Sequence, residues 1–202
     1  MVSVHSDQRK AAALAPESVK ILVAGGFGVG KTTMVASVSE IPPLSTEELI
    51  TEASTGVDDL AGIEGKTTTT VALDFGRITI SPKLVLYLFG TPGQDRFWFM
   101  WDELARGAIG AIVLIDTRRL DASFAAIDFF ERRAIPFVVG INNFDGSHRY
   151  EPEEIRSALA ISPGIPIVTC DARQRDASKL VLIKLLEHAM SRLPAEDTKA
   201  AV

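Results

Sequence analysis

The chain has 202 residues, 47% of them hydrophobic and 23% charged, ordinary proportions for a globular protein long enough to bury one core. A formal net charge of −5 without a basic stripe argues against a nucleic-acid-binding surface, and a single cysteine, Cys170, excludes an internal disulfide and any multi-cysteine metal site. No apolar run reaches membrane-spanning length, no secretory hydrophobic region opens the chain, no prenylation box closes it, and Val2 stands where myristoylation needs glycine. The expected compartment is the cytoplasm, with no direct membrane insertion and any membrane contact made through a partner.

In chain order, residues 1–17 lack clear periodicity, carry Pro16 and read as a mobile leader. Residues 19–24 are a short apolar run of the buried-strand kind, and residues 33–38 have helical composition that stops before Pro42-Pro43. Residues 41–69 are polar, with Pro42, Pro43, Gly56, Gly62 and Gly65 and the acids Glu47, Glu48, Asp58 and Asp59. A connection that long is usually functional or mobile. Within it, residues 46–53 suit a short helix capped by Ser45 or Thr46. Residues 70–80 alternate as a half-exposed strand, and residues 83–89 form a second, joined through Ser81-Pro82 as an antiparallel hairpin at a sheet edge.

Strand and helix then alternate: strands over 111–116, 135–141 and 166–169, helices over 122–133, 152–159 and 177–192. Pro152 falls at a helix start, where a missing N–H does no harm. The strands are near-continuous runs of Val, Ile and Leu, as parallel strands covered on both faces require. Residues 194–202 read as a fraying tail. The expected fold is α/β, a doubly wound, mostly parallel sheet of about six strands flanked by helices, with one antiparallel edge strand, in a single domain over residues 18–193.

Between the first strand and the first helix stands Gly25-Gly26-Phe27-Gly28-Val29-Gly30-Lys31-Thr32, which fits G-x-x-x-x-G-K-[ST], a P-loop in its proper strand–loop–helix context. Glycines let consecutive backbone N–H groups turn inward around phosphate oxygens, and the helix N-terminus adds its positive dipole end. Lys31 would reach the β- and γ-phosphates and the Thr32 hydroxyl would ligate Mg²⁺, with Gly25, Gly28, Val29, Gly30 and Thr33 completing the cradle. A glycine-rich turn that binds nothing is the bland alternative, and the flanking strand and helix count against it. In such sheets ligands bind beyond the carboxyl ends of the strands. Three segments stand there: Gly90-Thr91-Pro92-Gly93-Gln94-Asp95, Asn142-Asn143-Phe144-Asp145-Gly146 and Cys170-Asp171-Ala172-Arg173.

Together with the P-loop, these segments resemble the guanine-nucleotide motifs of the Ras-like small GTPases, in the same order, over about residues 19–192. Asn142-x-x-Asp145 is similar to N-K-x-D, with Asn143 in place of the lysine. The resemblance implies that Asp145 accepts from N1–H and the N2 amino group of guanine, donors that adenine lacks in that arrangement. Asp171-Ala172-Arg173 stands where the family has S-A-K, a loop whose backbone touches the guanine oxygen, although a surface turn would look the same. Residues 70–75 resemble the T-x-G-x-D-F segment of switch I, which makes Thr70 the threonine that joins Mg²⁺ and the γ-phosphate, with the register open among Thr67 to Thr70.

Residues 90–94 resemble D-T-A-G-Q. There Gly93 would offer its N–H to the γ-phosphate, Gln94 would orient the attacking water, and Gly90 replaces the aspartate that holds a Mg²⁺-bound water. Asp74, Asp58 and Asp59 are the candidates to compensate. The Gly and Pro of this motif, with Glu64-Gly65-Lys66-Thr67-Thr68-Thr69-Thr70, are most similar to the actinobacterial conservon GTPases and the related bacterial cell-polarity GTPases. That likeness implies a Roadblock-type small protein and a membrane sensor-kinase-like protein as partners. Phe27 would either crowd an arginine arriving from outside or pack against switch II. Phe97, Trp98, Phe99, Met100 and Trp101 form either a one-sided buried helix or a partner surface.

The resemblance implies a switch that binds GTP or GDP with Mg²⁺ and hydrolyses GTP slowly through Lys31 and Gln94. A pseudo-GTPase interaction module is the alternative that Gly90 and Asn143 keep open. A P-loop metabolic kinase would need an arginine-rich lid, and no such cluster stands in the sequence.

Overall fold

The apolar runs form the centre of a seven-stranded sheet with strand order β2-β3-β4-β1-β5-β6-β7. The computed structural model describes residues 16–42, 44–50, 69–93 and 99–192, without the side chains of 44–50 and 69–72. The elements are β1 (Glu17–Ala24), α1 (Lys31–Val38), β2 (Leu44–Ile50), β3 (Thr69–Ser81), β4 (Leu84–Gly90), α2 (Phe99–Ala105), β5 (Ala108–Ile115), a 3-10 turn (Leu120–Ser123), α3 (Phe124–Arg132), β6 (Phe137–Asn142), α4 (Pro152–Ala158), β7 (Ile167–Cys170) and α5 (Arg175–Ser191). β4, β1, β5, β6 and β7 run parallel, while β3 is antiparallel to both of its neighbours.

Two-residue periodicity divides β1 between the two faces of the sheet. Ile21 and Val23 pack with Met34 and Val35 of α1 and with Val181 and Leu185 of α5. Leu22 and Ala24 pack on the other face with Trp101, Phe129, Phe130 and Ile155, from α2, α3 and α4. Burial of that strand on both faces is what its unbroken apolar sequence encodes. On β3, a Cβ at Gly76 would stand 2.7 Å from the Val35 side chain, so a glycine there lets α1 approach the sheet.

The helix expected over 46–53 is not found over its described residues 46–50, while residues 51–53 lie outside the described residues. Residues 44–50 are instead strand β2, paired antiparallel with β3 from Leu44 opposite Phe75 to Ile50 opposite Thr69. Without it, the outer edge of the 13-residue β3 would present a row of unpaired backbone groups. The expected hairpin is present as β3 and β4, with β2 added outside it. Expectations for residues 1–15, for the tail, for Asp58, Asp59, residues 64–68, and for Gln94, Phe97 and Trp98 lie outside the described residues. Among the described residues, no helix is long and apolar enough to cross a membrane.

Candidate nucleotide-binding site

β1 lies between β4 and β5, and the glycine loop leaves its carboxyl end at the point where the chain's connections diverge to the two halves of the sheet. Gly25, Gly28 and Gly30 have φ of 133°, 74° and 104°, the region in which a side chain strains the backbone. Lys31 opens α1 and is buried, its Nζ donating to the carbonyls of Gly25 at 2.9 Å and Gly26 at 2.7 Å. Burial lowers its pKa to about 8, against the pull of the Asp74 charge, which raises it. Gly93 lies over this loop: a Cβ there would stand 2.5 Å from Lys31 Nζ and 2.9 Å from the Phe27 backbone nitrogen. Switch-like backbone at residues 91–93 therefore meets the P-loop directly.

A carboxylate from the neighbouring strand stands beside Thr32 and position 90. Thr32 Oγ1 donates to Asp74 Oδ2 at 2.6 Å, and Asp74 lies directly opposite Gly90 in the β3–β4 register. A Cβ at Gly90 would stand 2.8 Å from Asp74 Oδ2 and 2.9 Å from Asp74 Cβ. The glycine makes room for the acid. Next to it, Thr91 donates its backbone N–H to Val23 O at 2.9 Å, while its buried hydroxyl has no hydrogen-bond partner among the described residues. That hydroxyl at the end of β4, beside a part-buried hydroxyl–carboxylate pair, is a donor set that suits a hydrated cation and phosphate oxygens. Thr33 is exposed on α1, and Thr70 lies in β3 with its backbone opposite Leu49.

On the far side of the loop, Asn142 acts as a strut. Its Nδ2 donates to Val29 O at 2.8 Å, and its Oδ1 accepts from Ala172 N at 2.9 Å. A Cβ at Gly30 would stand 2.6 Å from Asn142 Nδ2, so the strut needs a glycine beneath it. Asn143 N donates to Cys170 O at 2.8 Å, which joins the chain just after β6 to the end of β7. Residues of both loops, among them Asn143, Asp145, Asp171 and Arg173, line a cleft of about 580 Å³. Asp145 projects into solvent with its carboxylate gripped by Arg173, Nη1 to Oδ2 at 2.7 Å and Nη2 to Oδ1 at 2.9 Å. Arg173 also holds Asp171, and its guanidinium draws both carboxyls below the usual range.

The loop after β5 contributes residues that motif reading passed over. Asp116 is buried, and Arg118 donates to it through Nε at 2.9 Å and Nη2 at 2.7 Å while stacking 4.0 Å from the centre of the Phe144 ring. Arg119 donates to Phe27 O at 3.0 Å, so a cation touches the P-loop from this side. The signal was present, since this loop also follows a strand's carboxyl end. The Phe27 ring is 67% exposed. The aromatic block divides: Trp101 is buried against Phe129 and Phe130, with Nε1 donating to Pro92 O at 3.2 Å, while Phe99 stands 66% exposed.

Fold and site together define a P-loop nucleotide-binding domain of the G-domain type. The chain belongs to the family described as "Conserved hypothetical ATP binding protein", whose model matches residues 23–192. An uncharacterized protein of Methanocaldococcus jannaschii is 31% identical over 131 residues, covering 64% of this chain and 72% of that protein. The Ras-related protein RABC2a of Arabidopsis thaliana is 28% identical over 78% of this chain and 71% of its own length, and the human Ras-related protein Rab-7b is 24% identical over 86% and 83%. These similarities support a place in the Ras-like GTPase superfamily. In fold, the FeoB G-domain from Methanococcus jannaschii superposes with a TM-score of 0.57 at 10% identity, covering 86% of this chain and 99% of that one.

Proposed function

We propose that this chain is a guanine-nucleotide-binding switch, a G domain over residues 18–193 that binds GTP and GDP and hydrolyses GTP slowly. The observation that carries the reading is the Asn142 strut, which ties the P-loop carbonyl of Val29 to Ala172 N and so supports a base site formed by the loops after β6 and β7. Asp145 offers two acceptor oxygens to an edge with two donors, which guanine has and adenine lacks. The family's description names ATP, and the engagement of Asp145 by Arg173 is the observation that favours this second reading. Calorimetry of nucleotide-free protein with GDP and ADP separates the two. Asp145→Ala is expected to weaken GDP binding about thirtyfold or more and leave ADP little changed. Equal GDP and ADP affinities in the unmutated protein would exclude guanine selection.

The residues around Thr32 suit Mg²⁺, which binds through one or two carboxylates, waters and substrate phosphates rather than an all-protein cage. Thr32 and Thr70 would ligate it, Asp74 would hold its water from β3 in the role that Gly90 leaves open, and Mg²⁺ would neutralise charge on the β- and γ-phosphates. Lys31 and the backbone N–H groups of Gly28, Val29, Gly30, Lys31, Thr32 and Thr33 bind phosphate oxygens. Gly93 meets the γ-phosphate, Gln94 orients the attacking water, and Asn143, Asp171, Ala172 and Arg173 line the base side. Turnover no faster than about 10⁻³ s⁻¹ is expected, the order of a G domain to which no arginine finger is supplied. The subtype is that of the conservon and bacterial cell-polarity GTPases, cytoplasmic, with a Roadblock-type protein and a membrane sensor-kinase-like protein as partners. That assignment rests on the motif resemblance, which co-purification from the native host tests.

A further inference from the structure

The Arg173 fork on Asp145 sets two N–H donors against two carboxylate oxygens, at 2.7 and 2.9 Å. Guanine's N1–H and N2 amino group present the same thing to the same acceptor: two parallel donors in one plane, spaced for a bidentate contact. We propose that Arg173 is a specificity-determining residue that imitates the guanine edge, so that a guanine nucleotide must displace it from Asp145 before the carboxylate can read the base. This rests on the guanine-binding reading above.

Three features set the strength of this competition. Asp171 lies on the other side of the same guanidinium, with Nη2 to Oδ2 at 2.9 Å and Nε to Oδ1 at 2.9 Å. Arg173 therefore keeps a carboxylate partner when it lets go of Asp145, whose own charge is then met by guanine's two neutral donors. Arg173 pivots on Asp171. The Arg173 and Asp145 side chains are 55% and 85% exposed, so water screens the pair and it is weak enough for a ligand to break. Lastly, Ala172 N is already engaged by Asn142 Oδ1, so Asp145 carries most of the discrimination available on this side. A competitor on Asp145 thus lowers guanine selectivity while leaving phosphate binding at Lys31 and the glycine loop untouched.

The test compares GDP, inosine diphosphate and ADP on the full chain, unmutated and as Arg173→Ala and Arg173→Lys. Adenine offers Asp145 no such pair of donors, so the GDP-to-ADP affinity ratio reports displacement of Arg173 and not general tightness, while inosine, which keeps N1–H and loses the N2 amino group, must displace Arg173 as guanine does. Both variants remove the fork, and Arg173→Lys keeps the charge. Each is expected to raise GDP affinity about two- to fivefold, the range an exposed ion pair supports, and to raise the GDP-to-ADP ratio in the same sense, with the GDP-to-IDP ratio little changed. A fall in GDP affinity in both variants, or an unchanged GDP-to-ADP ratio, overturns the proposal and makes Arg173 a support for the base site. A protein that does not distinguish GDP from ADP either with or without Arg173 overturns the guanine reading itself, and the proposal with it. Circular dichroism melts of each variant identify loss of folding, and in that case a raised GDP-to-ADP ratio for Arg173→Lys alone decides.

Discussion

Burial holds the Lys31 ammonium at about 8, well below 10.5, and this sets a pH dependence of known sign. Its folded value lies under the unfolded one, so between those limits the unfolded chain binds more protons, and this group's contribution to stability rises as pH increases through the window. Phosphate favours the ammonium form. Nucleotide binding above pH 8 is therefore expected to take up a proton and to weaken as pH rises, which calorimetry in buffers of different ionisation enthalpy measures. A second residue-scale consequence concerns the pair Asp74 and Gly90. Gly90→Ala places a methyl group 2.8 Å from Asp74 Oδ2, an overpacking expected to cost about 1–3 kcal/mol in a urea titration. Asp74 Cβ would also stand 2.9 Å away, so only Asp74→Gly gives the methyl its space, and Asp74→Gly with Gly90→Ala should be more stable than the sum of the single changes, by a coupling on the order of 1 kcal/mol.

At the scale of elements, α2 is a short helix whose position is set by Trp101. The indole packs edge-on against Phe129, with ring centres 5.1 Å apart, and its Nε1 donates to Pro92 O. One side chain thus fastens the helix to α3 and the 91–93 loop to the helix. Trp101→Phe keeps most of the packing and removes the donor, at an expected cost of about 1 kcal/mol and with faster GDP release, readable with a fluorescent nucleotide. Trp101→Ala is expected to cost about 3–5 kcal/mol in a denaturant titration, because a cavity is added to the lost bond. The start of α4 shows how much an element can carry in its own sequence: Glu151 and Glu154 form a reciprocal capping box around Pro152. Every one of those contacts lies within four residues.

Across the whole molecule, Asn142 is where the two sides of the site are joined. It reaches the P-loop after β1 and the loop after β7 from the end of β6, and both of its partners are buried backbone groups. Asn142→Ala strands both, so a loss of about 1–3 kcal/mol in thermal or urea unfolding is expected. Nucleotide affinity should fall with it, since neither the phosphate loop nor the base loop is then held to the other. Guanidinium at the rim is a second molecule-wide theme: Arg118, Arg119 and Arg173 each grip an acid or a carbonyl at the edge of the site.

The P-loop, the alternation of parallel strands with helices and the loops at the strand ends were legible in the sequence because each is a local pattern. Glycine spacing, two-residue periodicity and unbroken apolar runs act within one element or between adjacent ones. Thr32 and Asp74 are 42 positions apart, Asp145 and Arg173 are 28 apart, and Asn142 and Val29 are 113 apart. Those meetings depend on strand order and register, which no local pattern encodes. The strand over Leu44–Ile50 was missed for the same reason, since its partner is the free edge of β3 and not anything in its own composition. The sequence alone determined that a phosphate-binding loop stands on a doubly wound sheet. Only the tertiary structure decided which acid faces Thr32 and which cation covers Asp145, because backbone pairing between distant strands sets both.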